Sequence, residues 1–152
     1  MKIKSFRAKI AMGGQDTISL HTNTGSTGYR IKKFQVISST PGTGGSVEFV
    51  CKAYTIPQTT IDGAVDLSDN TLLGVAFYQD RANASSNTET IIFDNMTFNQ
   101  DIYITAIDAE GGTLAGNYYI ELEQMSLALD ENTVATLKDI RNIASQWVNN
   151  II

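Results

Sequence analysis

Short runs in which apolar side chains fall on every second residue, each closed by Gly, Asn, Asp, Ser or Thr, recur along most of the chain. That period leaves little choice of fold. Successive side chains of a strand point to opposite faces, so a period of two buries one face and wets the other. Eight such segments can be traced, near residues 3–11, 16–22, 28–38, 46–55, 72–78 and 89–94, through Ile102, Ile104 and Ala106, and from Tyr118, Ile120 and Leu122 onward. They follow one another without intervening helical periods. This pattern predicts a mainly β domain, an antiparallel two-sheet sandwich, jelly-roll-like, rather than a set of βαβ units.

The phase of the alternation carries further detail. In the first segment it shifts between Ile3 and the Phe6, Ala8, Ile10 set, and in the third between Tyr29, Ile31 and Phe34, Val36 across Lys32-Lys33. A phase shift inside one strand predicts a bulge at each place. The fourth segment alternates cleanly through Val47, Phe49, Cys51 and Ala53, whereas Leu72 to Tyr78 alternates little and predicts burial on both sides. Between them, 57–70 is a long polar connection, which in a compact domain either crosses between sheets or acts on the surface.

After Leu129 the period changes. Val134, Leu137, Ile140, Ala144, Trp147, Val148 and Ile151 fall at helical spacings, with Asp130 or Asn132 placed to cap the N-terminus. The spacing predicts an amphipathic helix over 131–149. With 152 residues the chain has the length of one domain, read as a β-sandwich over 1–129 closed by that helix. The apolar stripe of the helix can lie on its own sheet or in the groove of a neighbouring subunit.

The net charge of −5 is unevenly placed: residues 1–52 hold eight Lys or Arg against two acids, residues 53–152 three against fourteen. Two readings fit. Basic and acidic strands can lie side by side and pair across one sheet, or they can give the molecule a bipolar surface on which successive copies meet head to tail. Nucleic acid is a poor partner, because the chain is acidic overall and its cations are not interleaved with aromatic side chains. Arg7 and Lys9 interrupt the N-terminal apolar positions, and no stretch approaches membrane-spanning length, so neither a signal peptide nor a membrane partner is expected. Synthesis in a cytoplasm follows.

Catalytic chemistry is hard to assemble from these residues. One histidine, His21, and one cysteine, Cys51, allow neither a Ser-His-Asp arrangement with a second base nor a usual zinc ligand set. His21 follows Leu20 on a strand and should face solvent, and Cys51 reads as a small buried hydrophobe. Glu121 and Glu123 alternate with Ile120 and Leu122, as on any half-exposed strand. Asp62, Asp66, Asp69 and Asn70 could gather oxygens around calcium, but turn-forming side chains explain the composition equally well. The expectation is a protein that is not an enzyme and takes no cofactor. A glycan ligand stays open through Tyr118 and Tyr119, because one of two adjacent strand tyrosines must point outward.

In these traits the chain resembles the small virion structural proteins of bacterial viruses: few prolines, Gly-, Thr- and Asn-rich turns, and a β-sandwich ending in a short docking helix. The resemblance lies in overall style across the whole chain and rests on no single motif. It implies a capsid, capsid-accessory or tail component, located in the virion and partnered by copies of itself and by other virion proteins. A carbohydrate- or receptor-binding β-sandwich module is the alternative. For assembly, the candidate interface residues are Lys2, Lys4, Arg7 and Lys9 at the N-terminus. On the helix they are Leu137, Ile140, Ala144, Trp147, Val148 and Ile151.

Overall fold

The structure is a computed structural model that describes residues 2–22, 24–42, 46–81, 87–93 and 95–127. The helix expected over 131–149, with its six candidate interface residues, lies outside the described residues. Eight strands are present within them: β1 (Lys2–Ile10), β2 (Gln15–Ile18), β3 (Thr27–Ser38), β4 (Val47–Tyr54), β5 (Leu72–Asp80), β6 (Asn87–Ile92), β7 (Ile102–Asp108) and β8 (Gly116–Ser126). Each falls on one of the segments read from the alternation.

All pairings are antiparallel, and they form two sheets. One has three strands in the order β1-β8-β3, the other five in the order β2-β7-β4-β5-β6. The pairing is nested: the first strand lies beside the last, the second beside the seventh, and the fourth beside the fifth. A chain paired in this way behaves like one long hairpin folded over on itself, and each crossing between sheets adds to the core between them.

That core is built from the inward parity of each strand. Phe34, Ile120 and Leu122 of the three-stranded sheet meet Phe49, Cys51, Ile102, Ile104 and Ala106 of the five-stranded one, all at most 1% exposed. Gly116 opens β8 where Phe49 crosses from the other sheet. A Cβ at that position would overlap the Phe49 ring, so the close approach of the two sheets requires glycine. A hydrogen bond also spans the layers: the Tyr118 hydroxyl donates to Asp16 Oδ2 at 3.0 Å, and burial together with that bond pushes the phenol up from its ordinary value. Asp16 points inward because it shares the parity of Ile18 on β2.

Register separates the two expected bulges. Between β3 and β8 it shifts between Ile31 and Lys33, where the phase of the sequence predicted it. Between β1 and β8 it runs unbroken from Lys2 opposite Gln124 to Ile10 opposite Gly116, so β1 has no bulge. Ile3 breaks the phase for a simpler reason: it sits on the outward parity and stays exposed. β2 is shorter than its alternation. The Asp101 carboxylate takes the N–H groups of Leu20 and His21 at 2.8 and 3.0 Å, so these donors are satisfied by a side chain after the ladder ends.

Candidate functional site

The charge asymmetry of the sequence becomes a difference between layers. The strands of the three-stranded sheet carry seven Lys and Arg (Lys2, Lys4, Arg7, Lys9, Arg30, Lys32, Lys33) against Glu121 and Glu123, a balance of +5. All other described residues carry Lys52 and Arg81 against ten acids, a balance of −8. The pairing reading is present in part. Within the basic layer Arg30 Nε meets Glu123 Oε2 at 2.6 Å, Lys32 lies 3.8 Å from the same oxygen, and Lys33 lies 3.8 Å from Glu121. The Arg30 guanidinium, with help from Lys32, holds the Glu123 carboxyl below its usual range. These two glutamates are thus engaged in cross-strand pairing.

The outer face of this sheet places Ile3, Ser5, Arg7 and Lys9 of β1 beside Glu123, Glu121, Tyr119 and Asn117 of β8. Arg7 and Lys9 therefore sit together on the open face, and among the described residues neither has an ion-pair partner. Lys2 and Lys4 do not join them. With no bulge in β1 they share the inward parity of Phe6 and Ala8 and reach solvent only at the end of the sheet, where the Lys4 ammonium lies 5.9 Å from the Tyr29 ring centroid. The candidate interface read from the sequence as one basic strand is thus split between two faces. β1 is also the edge of its sheet, and charges along an edge strand oppose its pairing with another chain edge to edge.

Tyr118 is corrected as a ligand aromatic. Its ring packs in the core at 5% exposure, because β8 points it inward with Ile120 and Leu122. Tyr119 faces outward, with its hydroxyl donating to Glu121 Oε2 at 2.9 Å. A lone ring on a flat sheet offers a sugar one stacking surface and no pocket.

The five-stranded sheet differs in being covered on part of its outer face. Its outward parity is apolar in part, and Val50, Tyr54, Leu72 and Val75 form a second buried cluster, joined by Phe77, Phe93 and Ile107. Residues 55–71 cross that face as a strap. Its ends are tied together by the Thr55 N–H donating to the Thr71 carbonyl at 2.9 Å, and its near side is tied to β2 by Gln58 N–H donating to Gln15 Oε1 at 2.8 Å. Under it lies Lys52, 4% exposed, whose ammonium donates to the Ala64 carbonyl at 2.6 Å, lies 3.4 Å from Asp62 Oδ1 and sits over the Tyr54 ring at 5.6 Å. Burial of a charge is tolerated only with such partners. The acids of the strap are spent on its own turns: Asp62, Asp66 and Asp69 each accept the N–H two residues on, from Ala64, Ser68 and Thr71 at 3.1, 3.0 and 2.8 Å. Among the described residues no three His, Cys, Asp or Glu converge as metal ligands would.

Beyond the tip of the strap no other described segment crosses the sheet, and a groove of about 320 Å³ remains between the strap and β6. Val50, Val75 and Phe77 make its floor, Gly63 and Val65 one wall, and Glu89 and Ile91 the other. Glu48 closes the end and is held by Gln79 Nε2 at 2.8 Å and Arg81 Nη2 at 3.1 Å. Val65 and Ile91 are 45% and 41% exposed, and Glu89 is exposed without an ion-pair partner among the described residues.

Two further features were missed in the sequence. His21 Nδ1 donates to Asp101 Oδ1 at 2.7 Å, and although burial acts to raise the Asp101 carboxyl, the hydrogen bonds from His21 and Leu20 outweigh it and hold it below its usual value. Lys52 was the other, although a signal existed: it is the one Lys or Arg between Lys33 and Arg81, and the outward residues on either side of it, Val50 and Tyr54, are apolar. Cys51 is fully buried, and burial pushes its thiol up from its ordinary range. No protein family, curated protein or solved structure matches the chain.

Proposed function

We propose that this chain is a non-enzymatic structural protein that works by repeated contact with copies of itself, as a capsid, capsid-accessory or tail component of a bacterial virus. The observation that carries the reading is the separation of charge by layer, +5 on the strands of one sheet and −8 over the other described residues. Opposite signs in the two layers favour one relative orientation of identical molecules over the others. Each outer face also exposes large apolar side chains, Ile3 and Ile37 on the basic side and Val65, Leu67 and Ile91 on the acidic side, which is surface suited to being covered. The nested pairing of eight strands in two sheets supports a jelly-roll reading of the fold, an architecture that viral capsid domains use.

Light scattering on the full chain over a concentration series tests the assembly role. The weight-average mass is expected to rise with concentration at low ionic strength and to fall back when salt is added, because contacts between exposed charges are screened within about 10 Å at 0.1 M salt. A monodisperse monomer at every concentration would remove the reading. Head, portal or tail genes beside the gene for this chain are the expected setting for the virion role.

A further inference from the structure

We propose that copies of this chain stack back to face, with the Ile37 and Lys9 row of one molecule seated in the groove of the next, Ile37 over Val50 and Phe77 and Lys9 against Glu89. The inference rests on the self-assembly reading above and names the two surfaces that meet.

The match is one of spacing as well as sign. On the basic face Ile37 and Lys9 are both opposite Asn117, one on each side of β8, so they stand two strand spacings apart, about 10 Å. On the acidic face Val50 and Glu89 are both opposite Phe77, one on each side of β5, again two strand spacings apart. Laid on one another, the two rows put an apolar side chain on an apolar floor and a cation on an anion. Ile37 is 48% exposed, and the apolar surface still open in the groove belongs to Phe77 and to the walls Val65 and Ile91, so contact removes hydrocarbon from water on both sides.

The geometry also sets the form of the assembly. A two-fold dimer brings a patch against its own copy. Here that would set Lys9 near Lys9 or Glu89 near Glu89, which like-charge repulsion opposes. The two patches lie on opposite outer faces of one sandwich, so each contact leaves a free basic face at one end and a free groove at the other. Such a contact extends into a ring or an open stack. The basic sheet, three strands wide and up to twelve residues long, presents about 15 Å by about 40 Å, roughly 600 Å². That falls short of the roughly 800 Å² per partner of a standard stable interface, so each contact is weak alone and gains through repetition.

The test is a charge exchange on the full chain, read by sedimentation velocity at low salt, with circular dichroism confirming that each variant stays folded. Both residues are exposed on strands, which makes them tolerant sites. Wild type is expected to show a ladder of species beyond the dimer. Lys9→Glu and Glu89→Lys, each alone, are expected to weaken association about tenfold or more, and the chain carrying both is expected to recover it. Association that stops at a dimer, single variants that assemble like wild type, or a double variant that fails to recover would each overturn the stacking and leave self-assembly standing. A wild type that stays monomeric would overturn both.

Discussion

The two outer faces of this sandwich begin from the same strand pattern and end differently. Among the described residues nothing crosses the outer face of the three-stranded sheet, where Arg30 meets Glu123 closely and Lys32 and Lys33 pair loosely with Glu123 and Glu121. The five-stranded sheet carries a strap that turns Lys52, an outward residue by parity, into a buried cation bound to a backbone carbonyl. A charged residue on the polar side of a strand is therefore solvated only where nothing crosses that side. In energy the two cases differ as well, because an exposed ion pair contributes little and a buried one is expensive to break.

The largest expected effect comes from the place where both faces depend on one contact. Gly116→Val forces a side chain into the Phe49 ring between the sheets and should cost about 3 kcal/mol, the upper part of the range for overpacking, measured by urea denaturation. Next is the strap. Lys52→Ala leaves the Ala64 carbonyl without its ammonium donor and should cost about 1–3 kcal/mol, with limited proteolysis showing cleavage within 57–70 while the basic sheet stays resistant. Lys52→Met keeps the apolar stem on Tyr54 and should lie between the two, which separates packing from charge. If Lys52→Ala leaves the strap uncut, the contrast between the faces fails.

Acid should come third. Asp101, Asp66 and Glu123 are all held below their ordinary carboxyl values. Groups of that kind contribute stability above the unfolded-state value of about 4 and lose it as pH falls through the lower folded value. Stability against urea is expected to be level from neutral pH to about 5 and to decline below about 4, and a maximum near pH 4 would contradict it. The smallest effect belongs to the bare face: Arg30→Gln should barely move the melting temperature, while the Glu123 carboxyl, followed by NMR, titrates closer to its ordinary value.

Much of the framework was legible because period two and turn residues are local signals. All eight strands, the bulge at Lys32-Lys33 and the double-sided burial of β5 follow from them. What was not legible depends on contacts distant in sequence. Which of Tyr118 and Tyr119 turns inward is fixed by the parity of β8 against the core and by Asp16, 102 residues away. Lys2 and Lys4 were grouped with Arg7 and Lys9 as one basic strand, and only the unbroken register of β1 against β8 divides them between two faces. For the interaction surfaces, the charge bias was visible from the first reading. Its division between two sheets required the register, since β1 and β3 come together only through β8.

Cys51 has a practical consequence. Its sulfur lies at the centre of β4 with no exposure, and its thiolate is disfavoured, so a thiol reagent reaches it only when the two sheets part. The folded molecule is thus silent toward alkylation and the opened one is not. The rate at which a maleimide or an aromatic disulfide consumes this thiol is a clock for sheet separation, readable without any label. It also leaves the background clear for a cysteine placed by design on either outer face, so that opening of the core and contact between copies can be timed in the same sample.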